Sequence, residues 1–157
     1  RPILGRLMAA VPQFGAPEPG RPYPDRPVAF GVGVRDGQVA LVRVEPADGP
    51  TRIDLPGGGI DPGESAEAAM AREFLEETGL EVRPLSVLTR ADHYFINGAT
   101  KSFNTRGVFF TAEILTERRE RKIEADHTLF WRPPETALRM LSRDSHAWAL
   151  ACWLRRG

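Results

Sequence analysis

Runs of hydrophobic residues in the first part of the chain follow the pattern of β-strands. Residues 28–34 and 39–44 are rich in Val and Ala and flank an Asp-Gly pair at positions 36–37. Such a pair between two apolar runs predicts a β-hairpin with a tight turn. A short strand at residues 52–55 and a glycine loop at residues 56–59 follow.

The pattern changes to helical at residue 65. Residues 65–78 are rich in Ala and are followed by Gly79, which predicts a helix that ends at that glycine. Residues 82–95 and 102–115 then predict two strands, joined through an Asn-Gly turn at positions 97–98. This part of the chain therefore combines one helix with a second hairpin.

The C-terminal part predicts the cover of the sheet. A charged loop at residues 116–124 precedes a short strand at residues 128–131, and two prolines at 133–134 open a helix that reaches about residue 141. A further helix is predicted at residues 145–154. Strands on both sides of a central helix predict a mixed α/β domain, in which the C-terminal helices cover the second face of the sheet.

Proline content separates the N-terminal segment from the rest. Seven of the 14 prolines lie between Pro2 and Pro27. This composition predicts an extended lead-in over residues 1–27, followed by one domain over residues 28–157. The length of 157 residues also fits a single domain.

The net charge limits the classes of binding partner, and the number of cysteines indicates the cellular compartment. Lys plus Arg and Asp plus Glu both number 21, so the net charge is zero and neither a nucleic acid nor a membrane surface is predicted as a partner. A small anionic ligand needs only a local cluster of donors and stays possible. Cys152 is the single cysteine, which favours a reducing compartment such as the cytoplasm. We expect a monomer or a homodimer.

Three carboxylates on the predicted central helix are the first candidates for chemistry. Glu73, Glu76 and Glu77 are spaced i, i+3 and i+4, so they share one helix face. Like charges at these spacings destabilise a helix, unless a hard divalent cation reverses the repulsion. The alternative interpretation is a solvated acidic helix surface.

Three glycines precede this helix. Glycine lets the backbone approach a ligand closely, and free N–H groups near a helix start suit phosphate oxygens. Gly58 and Gly59 are therefore predicted to contact the substrate.

The complete segment at residues 58–80 carries a recognisable pattern. Its seven fixed positions are Gly58, Glu64, Arg72, Glu73, Glu76, Glu77 and Gly79. The spacing is similar to the signature of the Nudix hydrolases, the MutT-like enzymes. Phe74 stands where that signature usually has an aliphatic residue, which we expect to alter packing more than chemistry. The resemblance implies an αβα sandwich with a mixed β-sheet between helices.

The resemblance also implies an activity and a metal site. Nudix hydrolases cut a pyrophosphate bond in nucleoside diphosphate derivatives, with a metal-activated water as nucleophile. Glu73, Glu76 and Glu77 would bind Mg²⁺, or Mn²⁺, together with the carbonyl of Gly57. Glu73 and Glu76 thereby count as catalytic residues.

Other residues receive roles by the same resemblance. Glu64 and Arg72 are expected to support the architecture of the site. The segment at residues 58–80 corresponds to the family signature, called the Nudix box. Because the family often places an additional acid or base on a loop outside this box, Glu124 is the candidate for that role, with Glu120 next. Either residue could equally be a surface carboxylate. His127 is expected to be a strand-edge histidine rather than a catalyst.

Substrate contacts are predicted around the second hairpin. Tyr94, Phe95 and Phe103 could stack on a base, although alternating aromatic residues in strands are more often core. Arg43 and Arg52 flank the glycine loop and could reach a terminal phosphate.

The expected substrate is a (deoxy)nucleoside triphosphate or similar small nucleotide. ADP-ribose-cleaving members share a proline where this chain has Tyr94, which argues against that substrate.

The alternatives are a hydrolase of dinucleoside polyphosphates or ADP-ribose, and a catalytically inactive nucleotide-sensing module. RNA-end processing is disfavoured by the neutral charge. Isoprenoid diphosphate isomerases of this family use a catalytic cysteine, and Cys152 is poorly placed for it.

Overall fold

The computed structural model describes residues 10–98 and 100–156. Its strands are β1 (Gln13–Phe14), β2 (Asp25–Arg35), β3 (Gln38–Val44), β4 (Arg52–Asp54), β5 (Gly57–Gly59), β6 (Leu80–Asn97), β7 (Lys101–Glu117) and β8 (His127–Arg132). The α-helices are α1 (Ala66–Thr78), α2 (Pro134–Met140) and α3 (Asp144–Arg156), and a 3₁₀ turn spans Arg119–Arg121. The predicted order of strands and helices is therefore confirmed.

The first hairpin is confirmed at its turn but not along its length. Asp36 and Gly37 both have positive φ, 53° and 74°, as a tight two-residue hairpin turn requires. Strands β2 and β3 pair only at Val34–Val39 and Arg35–Gln38 and then diverge. Beyond that point β2 runs parallel to β7, whereas β3 pairs with β4 and β8. The divergence opens the space in which the candidate site lies.

The predicted glycine loop is wrong in one respect. Gly57, Gly58 and Gly59 form the short strand β5, which pairs antiparallel with β2. Gly57 has a φ of 148°, and a Cβ there would lie 2.2 Å from the carbonyl oxygen of Ala29. Only glycine lets these two strands approach so closely.

Alternate residues of the strands feed two hydrophobic cores. Phe30 and Leu41 belong to a core that Leu150 of α3 completes. Their neighbours Ala29 and Ala40 belong to a second core, built on α1. Because successive strand residues point to opposite faces, helices cover both faces, and the fold is an α/β sandwich with a mixed sheet.

The N-terminal lead-in is not wholly irregular. Residues 1–9 of the predicted lead-in lie outside the described part of the chain. Gln13 and Phe14 form β1, parallel to β6, and the Gln13 amide donates to Oδ1 of Asn104 at 3.0 Å. Strand β2 begins at Asp25, three residues before the predicted domain start. Among the described residues, no helix has the length and apolar character needed to cross a membrane.

Candidate functional site

A cleft of about 310 Å³ lies where β2 and β3 diverge. Its wall includes alternate residues of β2, namely Arg26, Val28 and Phe30, which share one face of that strand. The glycines of β5 lie beside them. The remaining wall comes from α1, the ends of β3 and β6, strands β4 and β7, the loop before β8 and Arg143. The cleft therefore gathers residues from distant parts of the sequence.

Helix α1 directs two carboxylates into this cleft. Ser65 caps its start, because its hydroxyl accepts from the N–H of Ala68 at 3.0 Å, and Gly79 ends it with φ 77°. Since Phe74 is fully buried in the core, the polar face of the helix turns toward β5. Glu73 and Glu77 line the cleft from that face.

Glu77 is the most deeply placed of the box carboxylates. It is 4% exposed, and its Oε1 accepts from the N–H of Gly57 at 3.1 Å. Its Oε2 lies 3.2 Å from Nε2 of His127. Burial raises the pKa of the Glu77 carboxyl to about 7, against the opposing effects of His127 and the Gly57 N–H.

His127 lies between two carboxylates. Its Nδ1 is 2.8 Å from Oδ1 of Asp126, while its Nε2 faces Glu77. Burial alone would lower the pKa of His127, but the hydrogen bond and charge of Glu77, together with those of Asp126, raise it to about 9. The imidazolium form, which has two N–H donors, therefore holds the Glu77 side chain in place.

Arg72 organises the outer part of the site. Its guanidinium forms a bidentate salt bridge with Glu64, in which Nε donates at 2.7 Å and Nη2 donates at 2.9 Å. The remaining Nη1 donates to Glu73 at 2.9 Å and to Glu76 at 3.2 Å. One planar guanidinium thus contacts three carboxylates of the signature, Glu64, Glu73 and Glu76, which fits the architectural role expected for Glu64 and Arg72.

Glu76 acts on the site partly through its backbone. Its carbonyl oxygen accepts from the N–H groups of Ile123 at 2.9 Å and Glu124 at 3.1 Å. These bonds hold the loop before β8 against α1, and the Glu124 side chain lines the cleft. The side chain of Glu76 points to Arg72 and is not part of the cleft wall.

The arrangement can hold a hard cation. Burial raises the pKa of Glu73, and the charges of Glu76 and Glu124 add to that effect against the attraction of Arg72. Carboxylates that repel one another in a partly buried site are stabilised by a divalent ion. Ligand-type atoms of Glu124, Asp126 and His127 also lie within 4.8 Å of one another at the same edge, but His127 in its imidazolium form has no lone pair to offer a cation.

Some of the predicted substrate contacts line the cleft and others do not. Phe95 and Arg52 line the cleft, as do Gly58 and Gly59. Arg43 is exposed on β3 and is not part of the cleft wall.

The neighbouring aromatic residue has a different environment. Tyr94 points away from Phe95 and packs edge-on against Tyr23 of the lead-in, with ring centroids 5.3 Å apart. Glu120, the second candidate base, is exposed in the 3₁₀ turn.

Among the residues that line the cleft, the sequence did not indicate four with Asp or Arg side chains: Arg26, Asp54, Asp126 and Arg143. Arg26 could have been found from its place two residues before Val28 on the same strand face. Arg143 could not, since it lies between α2 and α3 and reaches the cleft only through tertiary packing.

Comparisons with known proteins assign the chain to a family. The family model described as the NUDIX domain matches residues 25–155. A Mycobacterium tuberculosis protein named "Putative 8-oxo-dGTP diphosphatase 2" is 48% identical over 75 residues, which are 46% of this chain and 53% of that protein. An RNA pyrophosphohydrolase of Cronobacter sakazakii is 46% identical over 54 residues, 34% of this chain and 29% of that protein. The matched segment thus spans about half of the first relative.

Solved structures share the fold over most of the chain. A NUDIX hydrolase from Nitrosomonas europaea superposes with a TM-score of 0.72 at 19% identity, over 84% of this chain and 90% of that one. A MutT NUDIX hydrolase from Burkholderia pseudomallei gives 0.59 at 27% identity, over 81% and 96%. The family model matches residues 25–155, which include every residue named above as lining the cleft. The chain therefore belongs to the NUDIX domain family.

Proposed function

We propose that this chain is a metal-dependent pyrophosphohydrolase that acts on a (deoxy)nucleoside triphosphate or a similar small nucleotide. One observation carries the proposal. Two carboxylates of one helix, Glu73 and Glu77, face the same cleft as the backbone of three consecutive glycines. Carboxylates suit a divalent cation, and glycine backbone suits phosphate oxygens, so the cleft offers both halves of a pyrophosphate site.

The donors fit Mg²⁺ or Mn²⁺. Glu73, Glu76 and Glu77 would hold the cation with the Gly57 carbonyl, and the available groups are oxygens, which hard cations prefer. When bound, such a cation lowers the pKa of water and offsets charge on phosphate oxygens. Glu76 would need to turn from Arg72 toward the cleft, a rotation of one partly exposed side chain.

We assign the proton acceptor and the phosphate contact to side chains of the cleft. Glu124 is our candidate to accept a proton from the attacking water, and its position on the cleft wall near Glu73 supports that assignment. Arg26 also lines the cleft, and its guanidinium lies 5.3 Å from the centroid of the Phe103 ring. Within residues 10–98 and 100–156, no carboxylate lies within ion-pair distance of this guanidinium. A cation without an acidic partner suits an anionic phosphate, so Arg26 replaces Arg43 as the proposed phosphate contact.

The names of the relatives support the substrate class. One relative is named as a diphosphatase of 8-oxo-dGTP and another as an RNA pyrophosphohydrolase, and both names describe hydrolysis of a phosphoanhydride bond. The cleft volume of about 310 Å³ is at the small end for ligand pockets, which favours a mononucleotide. The lone Cys152 is consistent with a cytoplasmic location, which we include in the proposal.

A substrate panel tests the proposal. Ribo- and deoxynucleoside triphosphates, 8-oxo-dGTP, ADP-ribose, dinucleoside polyphosphates and 5′-triphosphorylated RNA would be assayed with Mg²⁺ and with a chelator. Phosphate release is read with and without added pyrophosphatase, which shows whether pyrophosphate is the product. We expect a mononucleotide to be cut fastest, and only with metal. Faster cleavage of RNA, ADP-ribose or a dinucleotide would overturn the substrate, and no turnover would favour a sensing module.

A further inference from the structure

A second recess, of about 240 Å³, adjoins the cleft and differs from it in charge. Arg52, Phe95 and Arg143 line both spaces. Acidic residues line the cleft, whereas none of the described residues that line the second recess is acidic. The polar side chains of its wall are those of Arg52, Arg143, His93, Ser142 and Thr51. The recess therefore offers cationic groups and hydrogen-bond donors without a carboxylate on its wall.

One carboxylate oxygen holds the two arginines of this wall together. Oδ2 of Asp54 accepts from Nε of Arg52 at 2.9 Å and from Nη2 of Arg143 at 3.0 Å. One negative charge thus stands against two positive charges. The side chains of Arg52 and Arg143 are only 17% and 9% exposed, so solvent ions screen the excess positive charge weakly.

Most donors of the two guanidinium groups are not used within the protein. Among the described residues, no acceptor meets Nη1 of Arg143 or either terminal nitrogen of Arg52, and these nitrogens reach solvent. Nε of Arg143 is also unpartnered but is enclosed. The Arg143 guanidinium lies over the ring of Phe95, 3.9 Å from its centroid. Because that contact uses the face of the guanidinium, its in-plane Nη1 donors stay available.

Backbone hydrogen bonds fix the relative position of these donors. The N–H of Ser142 donates to the carbonyl of Ile53 at 2.9 Å, and the N–H of Ile53 donates to Oγ of Ser142 at 2.8 Å. This pair ties β4 to the segment before α3, so the neighbouring residues Arg52 and Arg143 stay side by side. The Ser142 hydroxyl proton is not used in the pair and adds a third donor.

We propose that this recess is a second anion site, which binds a phosphate group and is separate from the proposed phosphate contacts at β5. The phosphate oxygens accept from the terminal nitrogens of Arg52, from Nη1 of Arg143 and from the hydroxyl of Ser142. A tetrahedral phosphate takes donors from several directions, and its charge balances the second arginine.

The rim of the recess limits where the anion lies. A Cβ on Gly98 would be 2.6 Å from Oδ2 of the exposed Asp48, so a carboxylate borders the recess at Gly98. The anion is therefore placed on the arginine side. Free inorganic phosphate and a second phosphate of a bound nucleotide share this chemistry, and the nucleotide source rests on the proposed function.

An NMR titration of the unaltered, metal-free protein with inorganic phosphate locates the site. At constant ionic strength, the backbone amide signals of Thr51, Ser142 and Arg143 should shift saturably. Saturable shifts confined to Gly58 and Gly59 would place the anion in the cleft and overturn the proposal. Shifts that do not saturate, or that follow exposed cations such as Arg121, would mean an adventitious ion only and would also overturn it.

Matched variants test the donors, with the Ser142 amide shift as a local measure of affinity. Arg52→Gln should weaken phosphate binding by about ten-fold or more, since a charged donor is lost. Arg43→Gln removes the same charge from an exposed position opposite Ile53, and Arg26→Ala removes a charge from the cleft alone. Both should keep the affinity within about two-fold.

The variants can also contradict the proposal. A folded Arg52→Gln protein with wild-type affinity, or an equal loss in Arg26→Ala, would exclude the recess as the site. If Arg52→Gln does not fold, the titration of the wild-type protein decides alone.

Two nucleotides without a pyrophosphate bond distinguish the sources of the phosphate. If a bound nucleotide supplies it, adenosine 3′,5′-bisphosphate should bind about ten-fold or more tightly than AMP, and saturating inorganic phosphate should abolish the difference. Equal affinities, with inorganic phosphate still bound at Ser142, would assign the site to free phosphate.

Failure of this inference is distinct from failure of the proposed function. Phosphate binding in the recess without hydrolysis of any nucleotide would remove the hydrolase and leave the anion site. Metal-dependent hydrolysis without phosphate binding at Ser142 would do the reverse.

Discussion

A side chain at position 58 would place its Cβ 2.7 Å from Oε2 of Glu73, so the backbone of Gly58 and this carboxylate lie directly against each other. The distance is shorter than any normal carbon–oxygen contact, and the Glu73 side chain would have to move. The position of a proposed metal ligand thus depends on the absence of a side chain on a neighbouring strand.

The first prediction follows from that contact. Gly58→Ala should weaken Mg²⁺ affinity by about ten- to a hundred-fold, because the added methyl displaces the Glu73 carboxylate. Calorimetric Mg²⁺ titrations of Gly58→Ala, Glu73→Gln and the double variant form a mutant cycle. If the added methyl acts through Glu73, the two losses are not additive. Fully additive losses would contradict the contact as the cause.

The second prediction concerns the helix carboxylates. Glu76→Gln should lower turnover by orders of magnitude and hold or raise the melting temperature, since it relieves repulsion from Glu73. The control is Glu67→Gln, an exposed carboxylate in the first turn of the same helix. We expect that control to keep wild-type kcat. A fully active Glu76→Gln protein would mean that Glu76 is not a metal ligand.

The third prediction separates two adjacent aromatic residues. Phe95→Ala should raise KM by about five- to a hundred-fold, because stacking of a base is worth roughly 1–3 kcal/mol and Phe95 lines the cleft. Tyr94→Ala should instead lower the melting temperature and leave KM nearly unchanged, because Tyr94 packs on Tyr23. Steady-state kinetics and thermal melts of both variants check this. The opposite distribution of effects would restore Tyr94 as the stacking residue.

The fourth prediction separates two arginines. Arg26→Ala should raise KM by about ten-fold, since it removes a charged hydrogen-bond donor from the cleft. Arg43→Ala removes the same charge from an exposed site outside the cleft and should leave KM within two-fold. Salt titration of KM adds a second measurement, because a direct phosphate contact makes binding depend on ionic strength. Equal KM values for both variants would show that neither arginine meets the phosphates.

The fifth prediction is a pH dependence of stability. Burial, with the charge of Arg143, lowers the pKa of His146 from 6.5 to about 3, and its Nδ1 accepts from the N–H of Leu55 at 3.0 Å. The unfolded state therefore binds a proton at higher pH than the folded state does. This contribution to stability is complete above pH 6.5 and is lost progressively as the pH falls toward 3.

A variant isolates that contribution. His146→Asn retains an acceptor for the Leu55 N–H but does not titrate, so it should be less stable at neutral pH and lose less on acidification. The difference in melting temperature between wild type and variant, followed from pH 7.5 to 4.5, cancels the carboxylates that titrate in the same range. A constant difference would show that His146 is not held neutral in the folded protein.

The sequence by itself determined the chemistry of the helix and the order of the elements. Spacing places Glu73 and Glu77 on one face of α1, and Ser65 and Gly79 bound that helix whatever surrounds it. The Asp36–Gly37 turn likewise depends only on the residues at the turn itself, both of which have positive φ. These features depend on neighbours within a few residues, so a linear pattern carries them.

Only the tertiary structure decided which side chains meet in the cleft. Arg26, Asp54 and Arg143 come from three distant parts of the chain, and the divergence of β2 from β3 brings them together. Whether Tyr94 or Phe95 faces the cleft depends on strand register, which a shift of one residue would reverse. Register and layer packing are set by long-range pairing, with β7 and β5 for β2, and local sequence does not contain that information.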